Sequence, residues 1–370
     1  MPLFEALEMW YLRIVPLTSV TFLTVALPAQ DPQQAEAPRC GLWGILVRVS
    51  LSETPCSVTL QIKRELSKTL VDDPSSIQSH SFHLYIVILQ LQYRSCFLLV
   101  KMSTESIITL EYRGRVAVLT IDNASKLNAM TGAHYYDLAQ KMREVATHDE
   151  VFITVILAKG RFFSAGADVT FTRESPSGKD SHKTWLQSFV AFNLNITHAF
   201  ATHPKVLVVG LNGPVVGLTA ALVAHADFIY CAPSAFLLTP FSSIGLVAEG
   251  GASRALVLRL GPARANEALL MSRRIGAEQL ERCGFVNEIF NEADDDKFNE
   301  RVLKEVDERL GEHLVGDSLT GIKKLIKRPE MELMHTQNVH EVFAGLERFL
   351  TGVPQQEFAK LASGAKRHKL

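Results

Sequence analysis

Residues 211–251 read LNGPVVGLTAALVAHADFIYCAPSAFLLTPFSSIGLVAEGG. Almost nothing in the run is charged, yet it contains His225, Asp227 and Glu249. An unpaired charge inside an apolar segment costs several kcal/mol, so a carboxylate in this place needs a reason. Glu249 follows Ile244-Gly245-Leu246-Val247-Ala248 and precedes Gly250-Gly251. Burial there raises a carboxyl pKa, which suits a group that takes up and returns a proton. The competing reading is a carboxylate that complements the dipole at a helix N-terminus. His225 and Asp227 stand at the end of an otherwise apolar helix and read as satisfied structural residues.

Outward from this stretch, strands alternate with helices. Residues 107–112 and 116–121 are β-rich around Arg113-Gly114 and predict a hairpin. A polar connection at 123–130 leads to a helix over 134–146, where Tyr135, Leu138, Met142 and Val145 recur at helical spacing. Unbroken apolar runs at 151–157 and 206–211 predict buried strands. Residues 185–202 predict a long amphipathic helix, and the polar loop at 174–183 reads as the most mobile segment. Further helices are expected over 218–226, 250–260, 263–271, 277–283, 293–310, 318–327 and 339–350, with short strands at 228–231 and 236–238. The class is α/β, with helices packed on sheets and a helical C-terminal region.

The chain has 370 residues, of which 47% are hydrophobic and 21% charged, with a formal net charge of −1. Such a balance suits a globular protein and offers no basic surface for nucleic acid. Cys40, Cys56, Cys96, Cys231 and Cys283 are scattered and form no C-x-x-C pair, which argues against a disulfide framework or a metal site. The first 101 residues lack amphipathic helix patterning and read as an N-terminal extension, poorly ordered or not native, outside the functional fold. Residues 14–27 faintly resemble a signal-peptide core. Residues 82–100 are interrupted by Gln90, Gln92, Arg94 and Ser95, so no stable membrane insertion is expected.

Two loops follow buried strands. Phe163-Ser164-Ala165-Gly166-Ala167-Asp168 is built of small residues that let a ligand approach the backbone. Asn212-Gly213-Pro214-Val215-Val216-Gly217-Leu218 leads into a helix, whose N-terminal N–H groups favour negative charge. Each could be a plain turn. Together, from successive strands, they are what a two-donor oxyanion hole requires.

The texts RFFSAGAD, KVLVVGLNGPVVGLTAALVAHADFIY, FLLTPFSSIGLVAEGGASRAL and RRIGAEQLERCGFVNEIF, in this order and spacing, resemble the crotonase (enoyl-CoA hydratase/isomerase) superfamily. The resemblance spans nearly all of the chain after Met102. It implies a spiral of ββα repeats over 102–300 and a C-terminal helical region over 301–370. It also implies a homo-oligomer, trimer or hexamer, that takes acyl-CoA thioesters without a further cofactor or metal. The motifs place the oxyanion N–H groups at Ala167 and Leu218, and the substrate-contacting loop at Ala165, Gly166, Ala167, Asp168 and Leu218. Asp168 reads as a structural cap.

Hydratases of the superfamily use two glutamates, and their positions here hold Ala221 and Phe241, which cannot activate water. Glu249 lies where Δ3,Δ2-enoyl-CoA isomerases of the fungal peroxisomal type carry a single catalytic glutamate. The expected activity is therefore conversion of 3-enoyl-CoA to 2-trans-enoyl-CoA in β-oxidation. The alternatives are another crotonase reaction, such as dienoyl-CoA isomerisation or a hydratase-like step in secondary metabolism, and a non-catalytic acyl-CoA-binding member. The end of the chain, His368-Lys369-Leu370, resembles the Ser-Lys-Leu address read by a peroxisomal import receptor and predicts a peroxisomal matrix location.

Overall fold

In a computed structural model of the chain, the described residues are 47–51, 58–62, 106–168, 180–292 and 294–366. The chain divides into two compact units, Met1–Leu98 and Leu99–Leu370. In the first, β1 (Val47–Leu51) pairs antiparallel with β2 (Val58–Ile62). Most of the segment expected to be an extension, with its two apolar runs, lies outside the described residues. So do the greater part of the polar loop at 174–183 and the terminal His368-Lys369-Leu370. Among the described residues, no helix is long and apolar enough to cross a membrane.

The second unit is built on a six-stranded sheet. β3 (Ile108–Arg113) turns through Gly114 into β4 (Val116–Ile121), as the β-branched runs predict. β5 (Ile153–Ala158) and β6 (Val206–Leu211) continue it in parallel, followed by β8 (Phe228–Cys231) and the two-residue β11 (Glu288–Ile289). A smaller sheet joins β7 (Val215–Val216), β9 (Phe236–Leu238) and β10 (Ile275–Gly276). The short strands β7, β10 and β11 are not visible as strands in the sequence, because two residues carry no periodicity.

Central strands are covered on both sides, and the period of two sorts their side chains. Ile153, Val155 and Leu157 face one cluster with Val206 and Val208, while Ile156, Ala158, Leu207, Val209 and Leu211 face the other. The first cluster is closed by Phe298, Val302 and Val306 of α7 (Asp295–Leu310). The second receives α1 (Gly132–Ala146), α3 (Ala191–Ala201), α4 (Gly217–Val223) and α5 (Ala252–Leu269). Residue 300, the expected end of the spiral core, lies within α7. α5 bends at Gly261 (φ 73°, ψ 159°) before Pro262, where the sequence separates two helices.

Two helix boundaries differ from expectation. The helix predicted over 185–202 begins earlier as α2 (Ser181–Trp185) and passes through a π-turn, Leu186–Val190, into α3. The two helices predicted at 318–327 and 339–350 are one, α8 (Gly316–Leu350), continuous through Pro329. An interior proline costs about 3 kcal/mol, but Lys323 on one side and Met334, Asn338, Glu341, Val342, Leu346 and Phe349 on the other are all buried. Packing on both sides of the proline outweighs the lost hydrogen bond. α6 (Ala277–Arg282) and α9 (Val353–Ala362) complete the unit.

The connection after β4 is fixed by Asn128, fully buried and left-handed at φ 56°. Its Nδ2 donates to Lys159 O (2.8 Å) and Phe162 O (2.7 Å), and its Oδ1 accepts from Asn123 N (2.7 Å). An asparagine tolerates this backbone where most residues do not. Asn128→Ala removes three hydrogen bonds of a fully buried side chain and is expected to lower unfolding free energy by about 3 kcal/mol, read as a reduced urea midpoint at unchanged slope.

Candidate active site

The two small-residue loops come together edge to edge. Ser164 N donates to Pro214 O (3.2 Å) and Val216 N to Ser164 O (2.9 Å), so 163–166 and 214–217 run as a short parallel pair. Gly213 sits so close to Arg161 that a Cβ would lie 2.2 Å from its carbonyl oxygen. Gly166 (φ 88°) would place a Cβ 2.8 Å from Val216 O, and Gly217 (φ 62°) abuts it from the other loop. At Gly166 only glycine fits, in conformation as well as in space; at Gly217 it is the positive φ that favours glycine, and at Gly213 the space.

Each candidate donor follows one of these glycines. Met130 uses the groups on either side of Ala167: its N–H donates to Gly166 O (2.9 Å) and its carbonyl accepts from Asp168 N (2.8 Å). The Ala167 N–H itself has no acceptor among the described residues. Leu218 is the second residue of α4, whose N-terminal N–H groups have no partner within the helix, and Val216 supplies no side-chain cap. Ala165 and Asp168 are half-buried, Gly166 and Leu218 buried, and Ala167 exposed.

A hydroxyl chain pins the two loops to α1. Tyr135 Oη and Thr219 Oγ1 are 2.7 Å apart, Thr219 Oγ1 and Ser164 Oγ 3.1 Å, and Ser164 Oγ donates to Asn128 O (2.8 Å). Gly166 N donates to Ser164 Oγ at 3.1 Å. Sequence reading missed Tyr135 and Thr219, because each fits the buried face of its helix as an ordinary core residue.

Glu249 is buried against this corner. Gly250 (φ 73°) packs on α4 so tightly that a Cβ would meet Leu218 Cδ1 and Ala221 Cβ, each at 2.9 Å. Ala221 is therefore a contact as well as a silent position, and Phe241 is 2% exposed and packed in the core. The Glu249 carboxyl is pushed up to about 7, chiefly by burial; an Asn193 Nδ2 bond to Oε2 (3.3 Å) opposes this and the Glu341 charge adds to it. Asn193 was also missed. Its signal is a polar residue on the same helical stripe as the buried Ile196, Thr197 and Phe200.

His225 and Asp227 take the structural roles expected. His225 Nε2 is 2.9 Å from Gly250 O, and burial pushes the ring down to about 4, so it is neutral. Asp227 Oδ2 accepts from Leu207 N (2.8 Å) and pairs with Lys323 (2.7 Å). Among the described residues, no group of three or more His, Cys, Asp or Glu is placed to hold a metal ion.

Residues 111–335 match the family model for enoyl-CoA hydratase/isomerase. The chain is 66% identical over 275 residues to a Pyricularia oryzae protein named Delta(3,5)-Delta(2,4)-dienoyl-CoA isomerase, covering 71% of this chain and 98% of that one. It is 33% identical over 272 residues to a Saccharomyces cerevisiae 3,2-trans-enoyl-CoA isomerase, covering 71% and 96%. The solved structure of Pseudomonas aeruginosa OdaA superposes with a TM-score of 0.61 at 25% identity, covering 70% of this chain and 99% of that one. The chain belongs to the enoyl-CoA hydratase/isomerase family and has the crotonase fold.

Two outcomes test this geometry. Gly166→Ala drives the first loop off the second and is expected to lower kcat by on the order of 10²–10³, with the far-ultraviolet circular dichroism unchanged. Glu249→Gln is expected to stabilise the protein. The carboxyl rises from 4.5 unfolded to about 7 folded, so wild-type stability relative to the variant is lost as pH climbs between those values. Above about pH 8 the variant leads by on the order of 3 kcal/mol, and below pH 4.5 the two denaturation curves converge.

Proposed function

We propose that this protein converts 3-enoyl-CoA to 2-trans-enoyl-CoA, with Glu249 as the sole acid and base. That it is an enzyme of the enoyl-CoA isomerase type stands on the family and the two fungal relatives. The observation that carries the finer reading is one buried carboxylate, tuned to about 7, packed on the helix whose N-terminus offers the Leu218 N–H.

The chemistry balances within the substrate. Glu249 takes a proton from C2, and the electron pair moves through the C3–C4 double bond and the thioester to give a dienolate. The N–H groups of Ala167 and Leu218 meet the developing oxyanion, each such donor being worth about 2.7–4 kcal/mol. The protonated Glu249 then returns the proton to C4, leaving the double bond between C2 and C3. No water enters, in keeping with an alanine and a phenylalanine at positions 221 and 241.

A second reading has its own support. The 66% identical relative carries the name of a dienoyl-CoA isomerase, whose reaction would move a proton from C2 to C6. A base must come within about 3–3.5 Å of each carbon it serves. C4 lies one intervening carbon from C2, whereas C6 lies three, and a single carboxylate fixed by Asn193 suits the shorter transfer. The acyl-CoA chemistry fits the expected peroxisomal matrix location. The homo-oligomer reading is supported by Leu270 and Met271, each 71% exposed, and by Ile322, Leu325 and Ile326 along one face of α8.

Purified protein assayed in parallel on 3-enoyl-CoA and 3,5-dienoyl-CoA decides between the readings: the larger kcat/KM is expected on 3-enoyl-CoA, and a dominant dienoyl activity would overturn this. Glu249→Gln is expected to cut kcat by on the order of 10²–10⁴. Because the base must be ionised, wild-type kcat/KM should rise with pH through about 7. Light scattering should return a multiple of the chain mass.

A further inference from the structure

We propose that Glu341, on the distant helix α8, is the positioning residue for Glu249, acting by gripping the N-terminus of α5. The inference rests on Glu249 as the base and adds a second carboxylate that never touches the substrate. Glu341 Oε2 accepts from Gly251 N (2.7 Å) and Oε1 from Ser253 N (2.7 Å). The side chain is 6% exposed.

α5 has no cap of its own. Gly251 at the N-cap has no side chain, and no acidic residue stands in the first turn. Orphan N–H groups at a buried helix start need partners, and here they come from 90 residues downstream. The gripped Gly251 N–H lies two residues from Glu249, across the consecutive left-handed Gly250 (φ 73°) and Gly251 (φ 75°). Ala252 N also donates to Glu249 O (3.3 Å), which ties the Glu249 backbone to the same turn.

The hold is therefore two-sided. Asn193 of α3 orients the Glu249 carboxylate, and Glu341 of α8 fixes the backbone that carries it. α8 in turn is locked to the helix leading into α3: Phe349 stacks on Trp185 at 4.4 Å, and a Cβ at Gly345 would lie 2.6 Å from the Phe189 ring. Burial pushes the Glu341 carboxyl above the usual carboxylate range, while the N–H bonds that both its oxygens accept from Gly251 and Ser253 oppose this and favour the charged form. That negative charge disfavours ionisation of Glu249. The other titratable groups around the turn are Tyr135 and the neutral His225, with the Arg254–Glu330 ion pair (2.6 Å) one turn further along.

The test is a set of pH profiles of kcat and kcat/KM on 3-enoyl-CoA for wild type, Glu341→Gln, Glu341→Asp and Glu249→Gln, with thermal melts alongside. Glu341→Gln is expected to lower kcat by on the order of tenfold to a hundredfold with KM little changed. Its acid limb should move to lower pH, since removal of a like charge makes Glu249 easier to ionise. Glu341→Asp keeps the charge but shortens the reach, so kcat should fall with the limb in place. Should the glutamine variant fail to fold, this aspartate variant carries the test, and wild-type kcat from it overturns the proposal. A Glu341→Gln limb within about 0.2 pH unit of wild type, beside an inactive Glu249→Gln, overturns this inference alone. Wild-type turnover by Glu249→Gln overturns the base assignment, and this inference with it.

Discussion

The contact of Gly166 with Val216 and Gly217 is the constraint on which the site depends. A parallel pair of short segments brings two backbones together where Gly166 has no room for a side chain and both Gly166 and Gly217 hold a positive φ. Each glycine is followed by an N–H with no acceptor among the described residues. The hydroxyls of Tyr135, Thr219 and Ser164 and the amide of Asn128 hold the approach from behind. Most of that network is buried, so its geometry is enforced by the cost of leaving any member unpaired. Donors set this way need no reorganisation when charge appears before them.

The carboxylate is positioned by the same economy of contacts. Gly250 packs on Leu218, and Glu249 is the residue before it, so the proposed base and one candidate donor share a single packing interface. Burial raises the carboxyl, and one amide bond moderates the rise. Burial without the Asn193 bond would leave a group too reluctant to ionise, and full solvation would leave a weak base. The position near 7 is a compromise suited to a group that must both take and give the same proton.

Legibility in the sequence followed the range of the interactions. The two loops and Glu249 could be read because their signals are local: small residues after a buried strand, and one carboxylate in an apolar run. The sheet could be read from its β-branched runs, apart from the two-residue strands. The gap expected between 327 and 339 is closed, because the local cost of Pro329 is offset by burial along both halves of α8. Asn193 and Thr219 are unremarked polar residues in helices and Tyr135 reads as one of an apolar stripe, and their pairing depends on which helices meet. Glu341 is the extreme case, since a glutamate on a long helix reads as a solvated residue until its partners 90 residues away are known.

These features together bear on why the family resemblance resolves toward isomerisation. A hydratase must hold water between two carboxylates, so it needs space as well as charge. Here one of the two positions, Ala221, is part of the surface on which Gly250 packs: a Cβ on Gly250 would lie 2.9 Å from its Cβ. The other, Phe241, is a buried ring of the main core cluster. In the proposed mechanism the packing of Gly250 on α4 therefore matters as much as the identity of the carboxylate it carries.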